Sequence, residues 1–129
     1  MIVLDTHALI WLVVAPERLG EAAREAIAAE GERAISTVSA QEIAYLVMRG
    51  RMELDRPVRT WIADVLRAHE VHPLAPNLSI VVRAGSLDSA EFPGDPADRL
   101  IYATAVEHGS RIASADERLL AADPARVIW

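Results

Sequence analysis

Short apolar segments alternate with amphipathic helical segments along the whole chain, and this alternation limits the choice of fold more than any other feature. The first apolar segment, residues 1–4 (MIVL), has the length and β-branched content of a buried strand. Strands that alternate with helices form parallel sheets, which helices cover on both faces. The sequence therefore predicts an α/β fold with a parallel sheet inside.

The predicted elements follow from periodicity and from the positions of proline and glycine. Strands are predicted over residues 1–4, 34–38, 71–74, 111–114 and 126–129. Helices are predicted over residues 6–15, 20–30, 39–48, 57–68, 78–87, 97–108 and 116–122, with an irregular loop over 89–96. Since no linker or repeat interrupts the 129 residues, we expect a single domain over residues 1–129.

Four carboxylates stand where a predicted strand or loop turns into a helix. They are Asp5, Glu42, Asp98 and Asp116. In an open parallel sheet the carboxyl ends of the strands share one crevice, so acids from distant parts of the chain can meet there. Crowded carboxylates raise one another's pKa unless a cation compensates them. The placement therefore favours a divalent-metal site, and phosphodiester hydrolysis is the chemistry most natural to it.

Three of these acids also have ordinary structural interpretations. Ser39 and Glu42 have the spacing of a capping box, in which both side chains only satisfy backbone donors. Asp95 fits the N-cap of the helix that contains Asp98, and the dipole of that helix favours an acid in the first turn. Asp116 could simply cap the helix that follows it.

Asp5 is harder to explain in this way, because an acid that ends the first buried strand is expected to cap little. It must then be paired, or solvated in a cleft. All four acids are predicted at one edge of the sheet, and this shared position favours the metal site over four separate structural roles.

Composition removes several competing chemistries. All 13 basic residues are arginine and there is no lysine, so P-loop, Schiff-base, response-regulator and haloacid-dehalogenase-type sites each lack a required residue. There is no cysteine either, which excludes disulfides, thiolate ligands and a cysteine nucleophile, and fits a reducing cytoplasm. The net charge of −6 argues against a general nucleic-acid coat protein, but a nuclease with an acidic site remains compatible with it.

The apolar run over residues 8–15 (ALIWLVVA) has neither the basic flank of a signal peptide nor the length of a membrane span. We interpret it as part of a buried strand–helix unit, and we expect no membrane partner.

Segments along almost the whole chain resemble PIN-domain proteins, and they occur in the expected order. These segments are residues 3–12 (VLDTHALIWL), 39–44 (SAQEIA), 50–54 (GRMEL), 92–101 (FPGDPADRLI), 103–105 (ATA) and 112–116 (IASAD). Within that family, the length and composition are similar to those of the VapC-type toxins of type II toxin–antitoxin modules.

The resemblance implies a three-layer α/β/α sandwich with a central sheet of four to five strands, and a Mg²⁺- or Mn²⁺-dependent endoribonuclease. It carries metal-binding and catalytic roles to the four acids, and it places Thr6 and Ser114 among the polar residues that line the site. It also implies an RNA substrate, a VapB-type antitoxin, a homodimer and a toxin–antitoxin hetero-oligomer.

The chain departs from the family pattern around the Glu42 helix and before Asp98. Leu46 stands where relatives often carry a basic residue, and Gln41 and Ala97 stand where relatives often carry aromatic residues. These departures put RNA contacts in doubt more than metal binding.

Arginines offer candidate RNA contacts. Arg49, Arg51, Arg56 and Arg59 cluster after the Glu42 helix, where they could bind RNA phosphates, bind an antitoxin, or form surface ion pairs. Arg99 is a weaker candidate for substrate binding, since tying down the preceding loop or the neighbouring acids is the better interpretation.

Three rival functions stay open. A metal-free ribonuclease could use His69 and His72 as an acid–base pair, although ordinary roles suffice for both, as they do for His7 and His108. A PIN-like module could bind partners without catalysis, and a metal-dependent phosphatase or DNA flap nuclease would use the same acids. Dependence on divalent metal and the choice of substrate separate these alternatives.

Overall fold

The computed structural model describes all residues from Met1 to Trp129 and contains five strands and seven α-helices. The strands are β1 (Ile2–Leu4), β2 (Arg33–Ser36), β3 (Val71–Leu74), β4 (Arg111–Ala113) and β5 (Val127–Ile128). The helices are α1 (Thr6–Val14), α2 (Glu21–Ala29), α3 (Val38–Met48), α4 (Val58–Ala68), α5 (Leu78–Gly85), α6 (Pro96–Glu107) and α7 (Glu117–Ala122). The predicted alternation of strands and helices is therefore confirmed.

The five strands form one parallel sheet in the order β3-β2-β1-β4-β5. Val3 on the central strand lies opposite Ala34 on β2 and Ile112 on β4. The chain adds β2 and β3 on one side of β1 and then crosses to add β4 and β5 on the other side. The reversal between β1 and β4 creates the crevice that an open α/β sheet offers to a ligand.

Side chains of the central strand alternate between the two faces of the sheet. Ile2 and Leu4 join a core cluster with Leu9 of α1, Ile43 of α3 and Trp61 of α4. Val3 points to the opposite cluster, which contains Ile101, Ile112 and Leu119. Helices therefore cover both faces, as predicted, and Trp61 is a core residue that is 6% exposed.

One predicted boundary that shifts is the end of β2, which was expected to reach Val38 but lies at Ser36. Thr37 already has helical backbone angles, with φ −61° and ψ −16°, and its N–H donates to the Leu74 carbonyl at 2.9 Å. Val38 therefore begins α3.

Other ends of elements also shift by one or two residues. A single 3-10 turn, Pro16–Arg18, follows α1 where only a helix stop was predicted. Pro57 precedes α4 instead of opening it, and α5 ends at Gly85, two residues early. None of the helices combines the length and the hydropathy that crossing a membrane requires.

Candidate active site

The four acids come from four elements that meet at the carboxyl edge of the sheet. Asp5 directly follows β1, and Asp116 lies just beyond β4 and precedes α7. Glu42 lies in the second turn of α3, and Asp98 lies in the first turn of α6. Asp5, Glu42 and Asp116 all contribute to the electrostatic environment of Asp98, so the structure brings the four carboxylates into one neighbourhood.

Asp5 is held at the junction of β1 and α1 by hydrogen bonds on both sides. Its backbone N–H donates to the Ala113 carbonyl at 3.1 Å, and its side chain accepts from the Ala8 N–H at 2.8 Å. The expectation that Asp5 caps little is therefore wrong, because it is the N-cap of α1. Burial raises the pKa of Asp5, although hydrogen bonds from Ser114 and Ala8 oppose that rise.

Glu42 is bound by the hydroxyl group of Thr6, which is 3% exposed. The same hydroxyl lies 3.1 Å from that of Ser39. The capping-box interpretation of Ser39 and Glu42 is wrong, because α3 begins before Ser39 and no side chain caps it. Burial raises the pKa of Glu42, and the Thr6 hydrogen bond partly opposes this.

Asp98 has the most perturbed carboxyl group of the site. Its pKa is raised to about 7, first by burial and then by the charges of Asp95, Glu42, Asp116 and Asp5. Near pH 7 this carboxyl group is therefore only partly ionised, and a nearby positive charge would favour its ionised form.

Asp95 adds a fifth acid that the sequence interpretation treated only as an N-cap. It is the N-cap of α6, accepting from the Ala97 N–H at 2.8 Å, and its charge also raises the pKa of Glu42 and of Asp98. The sequence contained a signal for the role of Asp95, because an N-cap residue three positions before Asp98 lies at the same end of α6.

Ser114 connects two of the acids from a fully buried position after β4. Its hydroxyl accepts from the Asp116 N–H at 3.1 Å, and its hydrogen bond to Asp5 lowers the pKa of that residue. Asp116 caps α7 by accepting from the N–H groups of Arg118 and Leu119, as the ordinary interpretation expected. Asp116 therefore caps α7 and also belongs to the acidic site.

No arginine pairs with any of the four acids, although seven ion pairs occur elsewhere in the molecule. Oxygen ligands with uncompensated negative charge are what Mg²⁺ and Mn²⁺ prefer, so the donor set fits such an ion. As placed, the side chains do not bring three or more carboxylates and histidines to common ligand distance. Binding would therefore involve intervening waters or rotation of side chains that now bond to their own backbone.

An open cleft of about 450 Å³ lies beside Glu42, between α3 and α6. Its polar part includes Glu42, Asp95 and the exposed His7. Its apolar part includes Tyr45 and Leu100. The acidic site thus continues into a half-apolar groove, which can receive a group larger than a metal ion.

Arginines proposed as RNA contacts have different environments. Arg99 donates to the carbonyls of Ala84, Pro93 and Leu87, so it ties down the segment that precedes α6. Arg56 forms ion pairs with Asp55 and Asp64. Arg49, Arg51 and Arg59 are exposed and form no ion pair, so the predicted patch keeps three uncommitted cations.

The histidines of the rival, metal-free mechanism do not lie at this site. His69 is the C-cap of α4. His72 lies on the edge strand β3, and strand β2 lies between β3 and the central strand β1. His108 caps α6, and its Nδ1 lies 2.9 Å from the Thr104 carbonyl. His7 alone reaches the cleft, where its ring packs against Trp11 with a centroid distance of 5.6 Å.

Comparison with known proteins identifies the family. The model of the family described as "PIN domain" matches residues 2–124. The chain is 42% identical over 118 residues to Ribonuclease VapC22 of Mycobacterium tuberculosis, a match that covers 92% of this chain and 88% of that protein.

Two solved structures share the fold. One is a toxin–antitoxin complex from Klebsiella pneumoniae, with a TM-score of 0.67, 20% identity, and coverage of 100% of this chain and 97% of that one. The other, FitAcB from Neisseria gonorrhoeae, gives a TM-score of 0.59 at 21% identity, with the same coverage of both chains. With its parallel sheet, its acids at the carboxyl edge and these relatives, the chain belongs to the PIN-domain family, among its VapC-type members.

Proposed function

We propose that this chain is a Mg²⁺- or Mn²⁺-dependent endoribonuclease that acts in the cytoplasm as the toxin of a type II toxin–antitoxin pair. The observation that carries the proposal is the convergence of Asp5, Glu42, Asp98 and Asp116 at the carboxyl edge of the sheet with no cationic side chain to neutralise them. The 42% identity to a protein named as a ribonuclease supports RNA as the substrate.

Asp5, Glu42 and Asp98 are the proposed ligands of the metal, and Asp116 completes the cluster. When bound, the divalent cation would neutralise these acids, activate water for in-line attack on phosphorus and stabilise the leaving oxygen. Since water is the nucleophile, no side chain needs to form a covalent intermediate. The RNA products would carry a 5′-phosphate and a 3′-hydroxyl.

Neighbouring hydroxyl groups keep the acids in a form suited to this task. Thr6 donates to Glu42, and Ser114 hydrogen bonds to Asp5, so each stabilises an ionised carboxylate against the effect of burial. The Ala8 N–H adds the same effect at Asp5. We propose that Thr6 and Ser114 orient the acids and keep them unprotonated, without contacting the reacting atoms.

An antitoxin and a second copy of the chain are the proposed protein partners. The Klebsiella structure is named as a toxin–antitoxin complex, and its likeness to this chain supports the first partner. For the second, the outer side of α5 leaves Leu78 81%, Val81 50% and Val82 59% exposed, which gives an apolar surface that self-association would cover.

The proposed function is tested by mapping RNA 5′ ends in cells after brief induction of the wild-type protein or Asp5→Asn. The wild-type protein is expected to create new 5′-phosphate ends at defined RNA positions, and Asp5→Asn is expected to create none at a matched protein level. New ends of equal abundance in both samples would contradict the role of the acids. A folded wild-type protein that creates no ends would favour a non-catalytic binding module.

A further inference from the structure

Tyr45 is an exposed aromatic residue at the mouth of the acidic site. It lies one helical turn after Glu42 on α3, lines the same cleft, and is 53% exposed. Residues three apart on a helix share a face, so the ring stands beside the carboxylate and not behind it. Its hydroxyl group makes no hydrogen bond within the protein, and about half of the residue is accessible to a ligand.

Arg49 lies one further turn along the same face and packs over Tyr45. Its guanidinium carbon is 6.0 Å from the centroid of the Tyr45 ring. Unlike Arg56, which pairs with two acids, Arg49 has no carboxylate partner. It is therefore a free positive charge next to an exposed aromatic ring, in a protein of net charge −6.

Other exposed apolar side chains lack this setting. Met48 is 69% exposed on the same helix, but it does not line the cleft, and Leu78 and Val82 lie on α5. Single exposed apolar residues are ordinary on protein surfaces. The combination of ring, free cation and neighbouring acids on one face of α3 sets Tyr45 apart from them.

We propose that Tyr45 and Arg49, the Tyr45–Arg49 platform, bind an unpaired nucleotide next to the scissile phosphate, with its base stacked on the ring and a phosphate on the guanidinium. This inference rests on the proposed ribonuclease function. Aromatic rings offer every base a stacking surface, and arginine adds the phosphate contact that the backbone needs.

The charges in the cleft fix the direction in which RNA approaches this platform. Glu42 and Asp95 line the cleft and repel a phosphate, whereas Arg49 attracts one on its side of the Tyr45 ring. A base over Tyr45 therefore places its own phosphate toward Arg49, and the neighbouring phosphate would reach the acids once a divalent cation has neutralised them. Since stacked neighbours cover both faces of a base inside a duplex, the platform selects single strands and loops over duplex RNA.

The test measures binding of a short, unstructured, fluorescent oligoribonucleotide by anisotropy, with each variant made in an Asp98→Asn background that prevents cleavage. Tyr45→Ala is expected to raise the Kd by about 5- to 100-fold, as loss of one stacked base does. Tyr45→Phe keeps the ring and should bind like the parent protein. Met48→Ala is the matched control, since it removes an exposed side chain from α3 outside the cleft.

Arg49 is tested through salt dependence. Arg49→Gln should reduce the slope of log Kd against log salt concentration by about 0.7, the value for one phosphate contact on a single strand, and Arg49→Lys should keep that slope. The parent protein should also bind the single strand more tightly than a duplex of the same sequence.

Cleavage assays separate this inference from the proposed function. If the wild-type protein cleaves RNA and Tyr45→Ala leaves both Kd and KM unchanged, the proposed Tyr45–Arg49 platform is wrong, but the proposed ribonuclease function is not contradicted. Equal binding of duplex and single strand would also overturn it. Weakened association of Tyr45→Ala with a co-encoded antitoxin, with RNA binding intact, would assign the surface to protein instead. If Asp98→Asn cleaves as fast as wild type, the proposed function itself fails.

Discussion

The raised pKa of the Asp98 carboxyl group affects both the stability of the fold and the proposed chemistry of the site. Its pKa of about 7 lies far above the ordinary aspartate value of 3.8. Between these two pH values the folded state binds a proton that the unfolded state has released, so stability falls as pH rises through this range. A bound cation would remove that penalty, so the proposed metal site would destabilise the protein when no metal is bound.

Asp98→Asn should therefore stabilise the metal-free protein at pH 8 and have little effect near pH 4, since asparagine is never ionised. We expect a gain of about 1–2 kcal/mol at the higher pH, because solvent screening at this half-buried side chain reduces the free-energy equivalent of the pKa shift. Urea unfolding with EDTA, followed by circular dichroism across this pH range, measures the difference. A difference in the free energy of unfolding between Asp98→Asn and wild type that does not change with pH would contradict the raised pKa of Asp98.

Individual residue roles were predicted from the sequence less well than residue positions. The sequence placed Asp5 and Glu42 at the correct edge, but it could not show that Asp5 caps α1 or that Thr6, 36 residues away in sequence, bonds to Glu42. Such contacts depend on how α1 and α3 pack across the sheet, and local patterns do not encode that packing. Asp95 was assigned correctly as a cap and not recognised as a neighbour of the acids, for the same reason.

At the scale of elements, the amino end of α2 packs directly on the C-terminal residue. A Cβ atom on Gly20 would lie 2.3 Å from the backbone carbonyl carbon of Trp129 and 2.8 Å from its ring. Trp129 in turn packs against Trp11 of α1, with ring centroids 5.4 Å apart. The small residue at position 20 therefore allows the end of the chain to close over the first two helices.

Gly20→Ala should destabilise the protein by about 1–3 kcal/mol, because backbone must shift to admit the methyl group. Gly85→Ala at the end of α5 is the matched control, since its Cβ would meet nothing within 4 Å. That control should be neutral or stabilising by up to about 1 kcal/mol. Thermal unfolding of both variants measures this, and equal stability of the two would show that the contact with Trp129 is absent in solution.

Arg99 holds the irregular segment before α6 with hydrogen bonds from its guanidinium group. Arg99 donates to the carbonyls of Ala84, Pro93 and Leu87, while Asp95 at the end of this segment caps the helix that carries Asp98. A break in these bonds should therefore loosen the loop and displace part of the acidic site.

Arg99→Met is expected to lose about 2 kcal/mol of stability, since three carbonyls lose a charged donor and methionine keeps much of the packing volume. Protease cleavage within residues 86–95 should become faster. Arg83→Met, which breaks an exposed 3.5 Å ion pair with Glu107, should cost less than about 0.5 kcal/mol. Arg99→Met with wild-type stability and protease resistance would restore Arg99 as a candidate for substrate contact.

For the whole molecule, the fold could be predicted because the pattern within each segment and the order of the segments along the chain both indicated a parallel α/β sheet. Apolar runs such as Ile2–Leu4, which are buried on both faces, are typical of parallel strands, and alternation with helices then limits the topology to few choices. Strand order was not predictable from these patterns. The strand order depends on the path of α6, which crosses behind the sheet and places β4 beside β1. This crossing opens the crevice between Asp5 and Asp116.

The four acids are proposed to act together, with a divalent cation, to cleave RNA. The most direct measurement is cleavage of a structured RNA by the purified protein during titration with Mn²⁺ or Mg²⁺, with the end groups of the products determined. We predict no cleavage in EDTA, activity that rises with metal, products with 5′-phosphate and 3′-hydroxyl ends, and a loss of at least about 100-fold in kcat for Asp98→Asn. Cleavage that persists in EDTA and leaves 2′,3′-cyclic phosphate ends, or an Asp98→Asn variant as active as wild type, would contradict the claim.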